Sequence, residues 1–162
     1  MSDALHDFVE EFALVFESTG TPRIAGRILG WLMVCDPPEQ SATQLAQALG
    51  ASKASISTMT RVLAQGMLIE RVPKRGSRQD FYRIRPGAWT DLTIKRLSAL
   101  SIYTQLAEKG LMLMKTAPPE QRVRLEEMRD LFRFFELELR GVVERLERKQ
   151  PSKTKTKVGA SI

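Results

Sequence analysis

Apolar residues return at three- and four-residue steps along the first third of the chain. From Asp3 to Ser18 the repeating set is Leu5, Phe8, Val9, Phe12, Val15 and Phe16, the period of a helix with one apolar face. Gly20 ends that pattern. Pro22 fits the first turn of a second helix, in which Ile24, Ala25, Ile28, Leu29, Leu32 and Met33 lead to Cys35 before Asp36-Pro37-Pro38 stops it. Ser41 to Gln44 reads as a Ser-x-x-Gln capping box ahead of Leu45, Ala46 and Leu49, with Gly50 as the terminator. Ser52 is placed to cap the next helix, whose inward positions are Ile56, Met59 or Thr60, and Leu63, up to a stop at Gly66.

After Gly66 the period changes to two. Residues 67–72 and 81–85 read as strands, and the polar, Gly-containing stretch Pro73 to Asp80 between them reads as a loop, so the three segments form a hairpin with a cationic tip. Pro86-Gly87 punctuates again, and two long helical patterns follow. The first carries Leu92, Leu97, Leu100, Tyr103, Leu106, Leu111 and Met114 and ends at Thr116-Ala117-Pro118-Pro119. The second is a stripe from Val123 to Leu146 through Phe132, Phe135 and Leu139. Helices this long outrun the core available beneath them. Their surplus apolar surface, with that of the Phe-rich first helix, is most economically buried against a second copy of the chain in a two-fold dimer.

Charge sharpens this picture. The 162-residue chain carries a net charge of +6, but residues 1–40 are net −5, residues 41–88 net +6, residues 89–147 neutral and residues 148–162 net +5. A positive field concentrated on the capped helix and hairpin is the footprint of a face that meets a polyanion. The tail from Lys149 onward has no apolar period, so it is expected to be disordered and basic.

Other chemistry is excluded by what is missing. One cysteine and one histidine leave no disulfide, thiolate cluster or His-based triad, and neither paired carboxylates nor a phosphate loop is apparent. The chain reads as a non-enzyme that needs no cofactor. Cys35 reads as a small buried residue at a helix end, with an oxidant-sensing thiol as the alternative, and His6 reads as an exposed helix residue. No signal peptide or membrane-length apolar run is present, so a cytoplasmic protein with no membrane partner is expected.

A helix, a tight Gly-Ala-Ser turn, a capped hydroxyl-rich helix and a hairpin with a basic tip make the layout of a winged helix-turn-helix. The major groove of duplex DNA admits one helix, and short polar side chains let its backbone approach the base edges. Ser52, Lys53, Ser55, Ser57, Thr58 and Arg61 are the residues expected there. Lys53 and Arg61 can reach guanine acceptors or phosphates, while the hydroxyls suit positioning as well as readout. At the wing, Lys74, Arg75 and Arg78 fit insertion into or across the minor groove.

The segments Thr21 to Gly30, Asp36 to Ser41 and Gly50 to Ser57, continuing through Arg75-Gly76-Ser77-Arg78 to Trp89, resemble the GbsR-like branch of the MarR family of transcriptional regulators. That resemblance covers about residues 5–147 in layout, with its motifs between residues 20 and 90. It implies a homodimer, generally a repressor, whose N- and C-terminal helices interlock, and release from DNA when a small ligand binds between that interface and the reading heads. The broader family often has an acidic residue before the wing-tip arginine, whereas here Ser77 precedes Arg78 and Asp80 follows it. Trp31, Tyr82, Trp89 and Tyr103 are available for an aromatic cage around a quaternary ammonium, but aromatics at helical spacing are more often core, and no motif names the effector.

The expected fold is therefore mainly α with a small β-wing. It comprises a dimerisation helix at 1–20, a winged helix-turn-helix at 21–88, C-terminal dimerisation helices at 89–148 and a basic tail at 149–162. The expected partners are double-stranded DNA, a second copy of the chain and a small effector. The competing reading is a winged helix without an effector, serving protein interaction or DNA architecture.

Overall fold

The computed structural model describes residues 3–149. The element order is α1 (Asp3–Ser18), α2 (Arg23–Val34), β1 (Gln40–Ser41), α3 (Ala42–Ala48), α4 (Lys53–Gln65), β2 (Ile69–Pro73), β3 (Asp80–Ile84), α5 (Ala88–Ser98), α6 (Ser101–Leu113) and α7 (Pro119–Lys149). The chain divides into two compact units, one through Ala88 and one from Trp89. The basic tail from residue 150 lies outside the described residues, and Lys149, which the sequence pattern assigns to that tail, ends α7.

In the first unit α2 is buried on almost every side, through Ala25, Gly26, Ile28, Leu29, Gly30, Trp31 and Leu32. The two glycines are there for space. A Cβ on Gly26 would lie 2.8 Å from the Ala13 Cα, and one on Gly30 would meet the Phe12 side chain at 3.2 Å. Both atoms belong to α1, so the glycines set how closely α1 approaches. On its other sides α2 meets Leu45 and Leu49, Ile56 and Leu63 of α4, and Ile69, all in one core cluster. Met33, expected on the apolar face, is instead exposed.

Three helices end in the same way. After α1, Gly20 is left-handed at φ 82°, its N–H donates to the Glu17 carbonyl, and the Thr21 N–H donates to the Phe16 carbonyl. Gly50 closes α3 likewise through the Gln47 and Ala46 carbonyls. This paired bonding satisfies carbonyls that the helix leaves open, and it favours glycine because an L side chain clashes in that conformation. At the end of α4 the left-handed residue is Met67 at φ 59°, not Gly66 at φ −72°. The Met67 and Leu68 N–H groups donate to the Ala64 and Leu63 carbonyls. The strand expected at 67–72 consequently begins at Ile69, because the two preceding residues are spent on closing the helix.

The sheet is antiparallel in the order β1-β3-β2. The sequence pattern gives the hairpin but not β1, whose two residues pair with Phe81 and Tyr82 and are too few to show a period. In the second unit the helix expected from Leu92 to Met114 is two helices. The chain bends through Ala99-Leu100, where the Leu100, Ile102 and Tyr103 amides bond three residues back and the Ser101 hydroxyl donates to the Ser98 carbonyl. A serine hydroxyl that competes for backbone carbonyls favours such a break. The helices α6 and α7 run antiparallel, since Gly110 faces Leu125 and Tyr103 stacks on Phe132 at 4.5 Å. No residue of α7 from 119 to 148 is fully buried within the chain.

Two outcomes follow from this packing. Met67 is 53% exposed, so its side chain contributes little to the core, and Met67→Gly removes the left-handed strain. Chemical denaturation is expected to show a gain of about 1 kcal/mol. Glu10 lies 2.9 Å from the Arg23 Nη2 and 2.6 Å from the Arg27 Nε. Burial acts to raise the Glu10 pKa, but the two guanidiniums outweigh it and hold the carboxyl below its ordinary 4.5. A carboxylate depressed by folding stabilises above its unfolded pKa and loses that contribution as pH falls through its folded value. Wild type is therefore expected to exceed Glu10→Gln in stability by a constant margin above pH 4.5 and to lose the margin in more acidic solution.

Candidate nucleic-acid interface

The polar helix is positioned by its apolar underside. Ile56, Thr60 and Leu63 of α4 are buried, and the Thr60 hydroxyl is satisfied within the helix by the Ile56 carbonyl at 2.9 Å and the Ser57 carbonyl at 3.2 Å. Thr60 rather than Met59 takes the fully buried position. Fixing that face turns Lys53, Ser57, Thr58 and Arg61 outward, all exposed. Lys53, Ser57 and Arg61 recur every fourth residue and so share one stripe, with Thr58 beside it. A 13-residue helix is about 20 Å long, and its polar side is free of bulky apolar groups up to Val62.

Ser52 and Ser55 behave differently from the other hydroxyl residues. The Ser52 side chain accepts the Ser55 N–H at 3.2 Å as the N-cap of α4, and Ser55 is half-buried. The preceding helix is opened by the anticipated capping box, in which the Ser41 amide donates to the Gln44 Oε1 at 2.8 Å and the Gln44 amide donates to the Ser41 hydroxyl at 3.2 Å. Both helices of the motif are thus started by local side-chain chemistry.

The wing carries two ionic clusters on opposite faces. On one face Glu70 lies directly across from Arg83, with the Arg83 Nε 2.7 Å from the Glu70 Oε1. Glu39, in the segment before β1, reaches the same cluster. It lies 3.1 Å from the Lys74 Nζ and 3.5 Å from the Arg83 Nη1, while the Lys74 ammonium sits 4.3 Å from the centre of the Phe81 ring. On the other face, Arg71 and Asp80 pair diagonally at 2.8 Å beside Tyr82. At the tip, the Ser77 amide donates to the Lys74 carbonyl and Gly76 is left-handed at φ 82°, a turn that presents Arg75 and Arg78 to solvent.

The eight Lys and Arg residues between 41 and 88 therefore fall into two groups. Arg71, Lys74 and Arg83 are ion-paired, and the Arg85 Nε donates to the Met67 carbonyl at 2.7 Å. Among the described residues Lys53, Arg61, Arg75 and Arg78 have no carboxylate partner. Of the basic residues singled out from sequence, only Lys74 is held inside the wing. Sequence reasoning missed Glu39, Arg71 and Asp80. Strand register could have paired Arg71 with Asp80, whereas nothing local marks Glu39.

Cys35 is the C-cap of α2 and half-buried. Burial pushes its thiol up, with Asp36 adding to the shift against its own backbone hydrogen bond. A protonated thiol at neutral pH is a poor nucleophile. Trp31 is part of the core, and Tyr103, 42% exposed, stacks one ring face on Phe132.

A short helix, a tight turn, a capped polar helix and a cationic hairpin together define a winged helix-turn-helix protein. The sequence profile of MmpR5-like MarR family transcriptional regulators matches residues 87–149. The chain is 45% identical over 130 residues to the HTH-type transcriptional regulator MmpR5 of Mycobacterium tuberculosis, covering 80% of this chain and 79% of that protein. It is 29% identical over 107 residues to the HTH-type transcriptional repressor OpcR of Bacillus subtilis, covering 66% of this chain and 56% of OpcR. A crystal structure of a transcriptional regulator superposes with a TM-score of 0.70 at 40% identity, over 90% of this chain and 99% of that one. The chain belongs to the MmpR5-like group of MarR family transcriptional regulators.

The cap on α4 gives a direct check on how the helix is held. Ser52→Ala is expected to cost about 1 kcal/mol in chemical denaturation, whereas Lys53→Ala, one residue along on the exposed face, should stay within about 0.5 kcal/mol of wild type.

Proposed function

We propose that this regulator is a homodimeric repressor that grips an inverted-repeat DNA operator with α4 and the wing and lets go when a small effector binds. The observation that carries the DNA reading is the distribution of unpaired charge. Within residues 41–88, the described cations Lys53, Arg61, Arg75 and Arg78 have no carboxylate partner and all lie on the outward stripe of α4 or at the wing tip, which are the two places where a winged helix meets the major and minor grooves. In this reading Lys53, Ser57, Thr58 and Arg61 enter the major groove, Ser52 and Ser55 form the helix start against a phosphate, and Arg75 and Arg78 reach the minor groove. Lys74, paired with Glu39, ties the wing to the segment before β1.

The dimer reading is supported by the second unit, where Ile102, Leu106, Leu131, Phe134 and Leu137 are all more than half exposed. An apolar surface of that extent calls for a partner, and a two-fold dimer would place two recognition helices about 34 to 36 Å apart on successive major grooves. An effector would find room in a cavity of about 250 Å³ lined by Leu97, Ser98, Leu139, Arg140 and Val143. Repression is suggested by the likeness to OpcR. The GbsR-like placement is likewise part of this proposal: its motifs lie between residues 20 and 90, whereas the matched profile begins at 87.

Selection from a random duplex library at near-physiological salt is expected to enrich an inverted repeat. On that duplex the logarithm of affinity should fall steeply with the logarithm of salt concentration. Replacing Arg61, Arg75 or Arg78 with alanine should flatten the slope by about 0.9 for each phosphate no longer neutralised. A flat salt response in wild type would sink the DNA reading, and a single unpaired half-site would sink the dimer.

A further inference from the structure

A cleft of about 340 Å³ runs between α4 and the sheet, lined by Ser57, Thr60, Arg61, Ala64, Arg71, Asp80 and Tyr82. Its floor continues the core, because Ile69 and Ile84 share a sheet face with Tyr82, Arg71 and Asp80. At its mouth that face becomes ionic. Arg61 enters from the helix without a carboxylate partner, while Arg71 enters from β2 with its Nε 2.8 Å from the Asp80 carboxylate.

We propose that Arg71 is a further DNA-binding residue, held in reserve by Asp80 and handed from that carboxylate to a backbone phosphate when α4 enters the groove. This rests on the DNA reading above. The exposure of the pair is what makes the exchange feasible. The Arg71 side chain is 66% exposed and that of Asp80 40% exposed, and such a pair in water is worth only about 0 to 1 kcal/mol. A phosphate offers the guanidinium a bidentate, charge-assisted partner of the same geometry, in a field already made attractive by Arg61. By contrast, Arg83 is shared by Glu39 and Glu70, and Lys74 is shared by Glu39 and the Phe81 ring. Neither of these has a single partner to give up, and both lie on the far face of the wing.

Asp80 then has two effects. Without DNA it keeps Arg71 aligned along the cleft wall. With DNA it leaves an uncompensated carboxylate facing the incoming backbone, which weakens binding to every sequence alike and keeps the protein from settling on nonspecific DNA.

The experiment is a set of salt titrations on the selected duplex with wild type, Arg71→Ala, Asp80→Asn and the double variant, each first shown by circular dichroism to be folded. Arg71→Ala is expected to flatten the salt slope by about 0.9, and Asp80→Asn to bind about two- to fivefold more tightly. In the double variant the gain from Asp80→Asn should shrink to the part that comes from removing the carboxylate's own repulsion of the backbone. A wild-type slope in Arg71→Ala would overturn the proposal, as would weaker binding by Asp80→Asn. An equal gain in the Arg71→Ala background would also overturn it, because it would assign the effect to charge removal alone. A wild type without salt dependence would instead overturn the DNA reading itself, so the two failures are distinguishable.

Discussion

Everything in the first unit is referred to one buried helix. Because α2 is enclosed through Ile28, Leu29, Trp31 and Leu32, the elements around it have no freedom to roll. α1 is drawn in until its backbone meets Gly26, and α4 must point Ile56 and Leu63 inward. The polar face of α4 is thus decided by the core beneath it. A larger side chain at Gly26 would push α1 away through a close-packed junction, and overpacking of this kind costs about 1 to 3 kcal/mol.

How much of this could be read in advance depends on how local the cause is. The two N-caps, the capping box and the helix periods of α1 and α2 were legible because each rests on residues within one turn of each other. The hairpin was legible because its period differs from that of its surroundings. The strand pair of Gln40 and Ser41 was not, since two residues carry no period and their partners lie about 40 positions further on. The bend at Ala99-Leu100 was hidden because apolar residues keep a helical step through it, and only the serines on either side mark it. At the interface the charge excess was legible, while its division was not. Which arginine is tied and which is free is set by strand register and by Glu39, a residue from another part of the chain.

That division matters more than the total. A net charge of +6 over residues 41–88 describes eight cations, yet most of those in the body of the wing serve to hold its strands and its base together. Exposed pairs of this kind are individually weak. Shared carboxylates make them cooperative, since Glu39 joins the loop before β1 to both Lys74 and Arg83. The pairs that share Glu39 fasten the wing from the side facing away from α4, and its tip is left cationic.

The left-handed turn at Met67 has a mechanical consequence. Between the last residue of α4 and the first of β2 stand only Gly66, Met67 and Leu68. All three amides are bonded back into the helix, and the Met67 carbonyl is taken by Arg85. No slack remains in that joint. Helix and hairpin therefore form a single lever, and a torque on the wing is delivered to the helix instead of being absorbed between them.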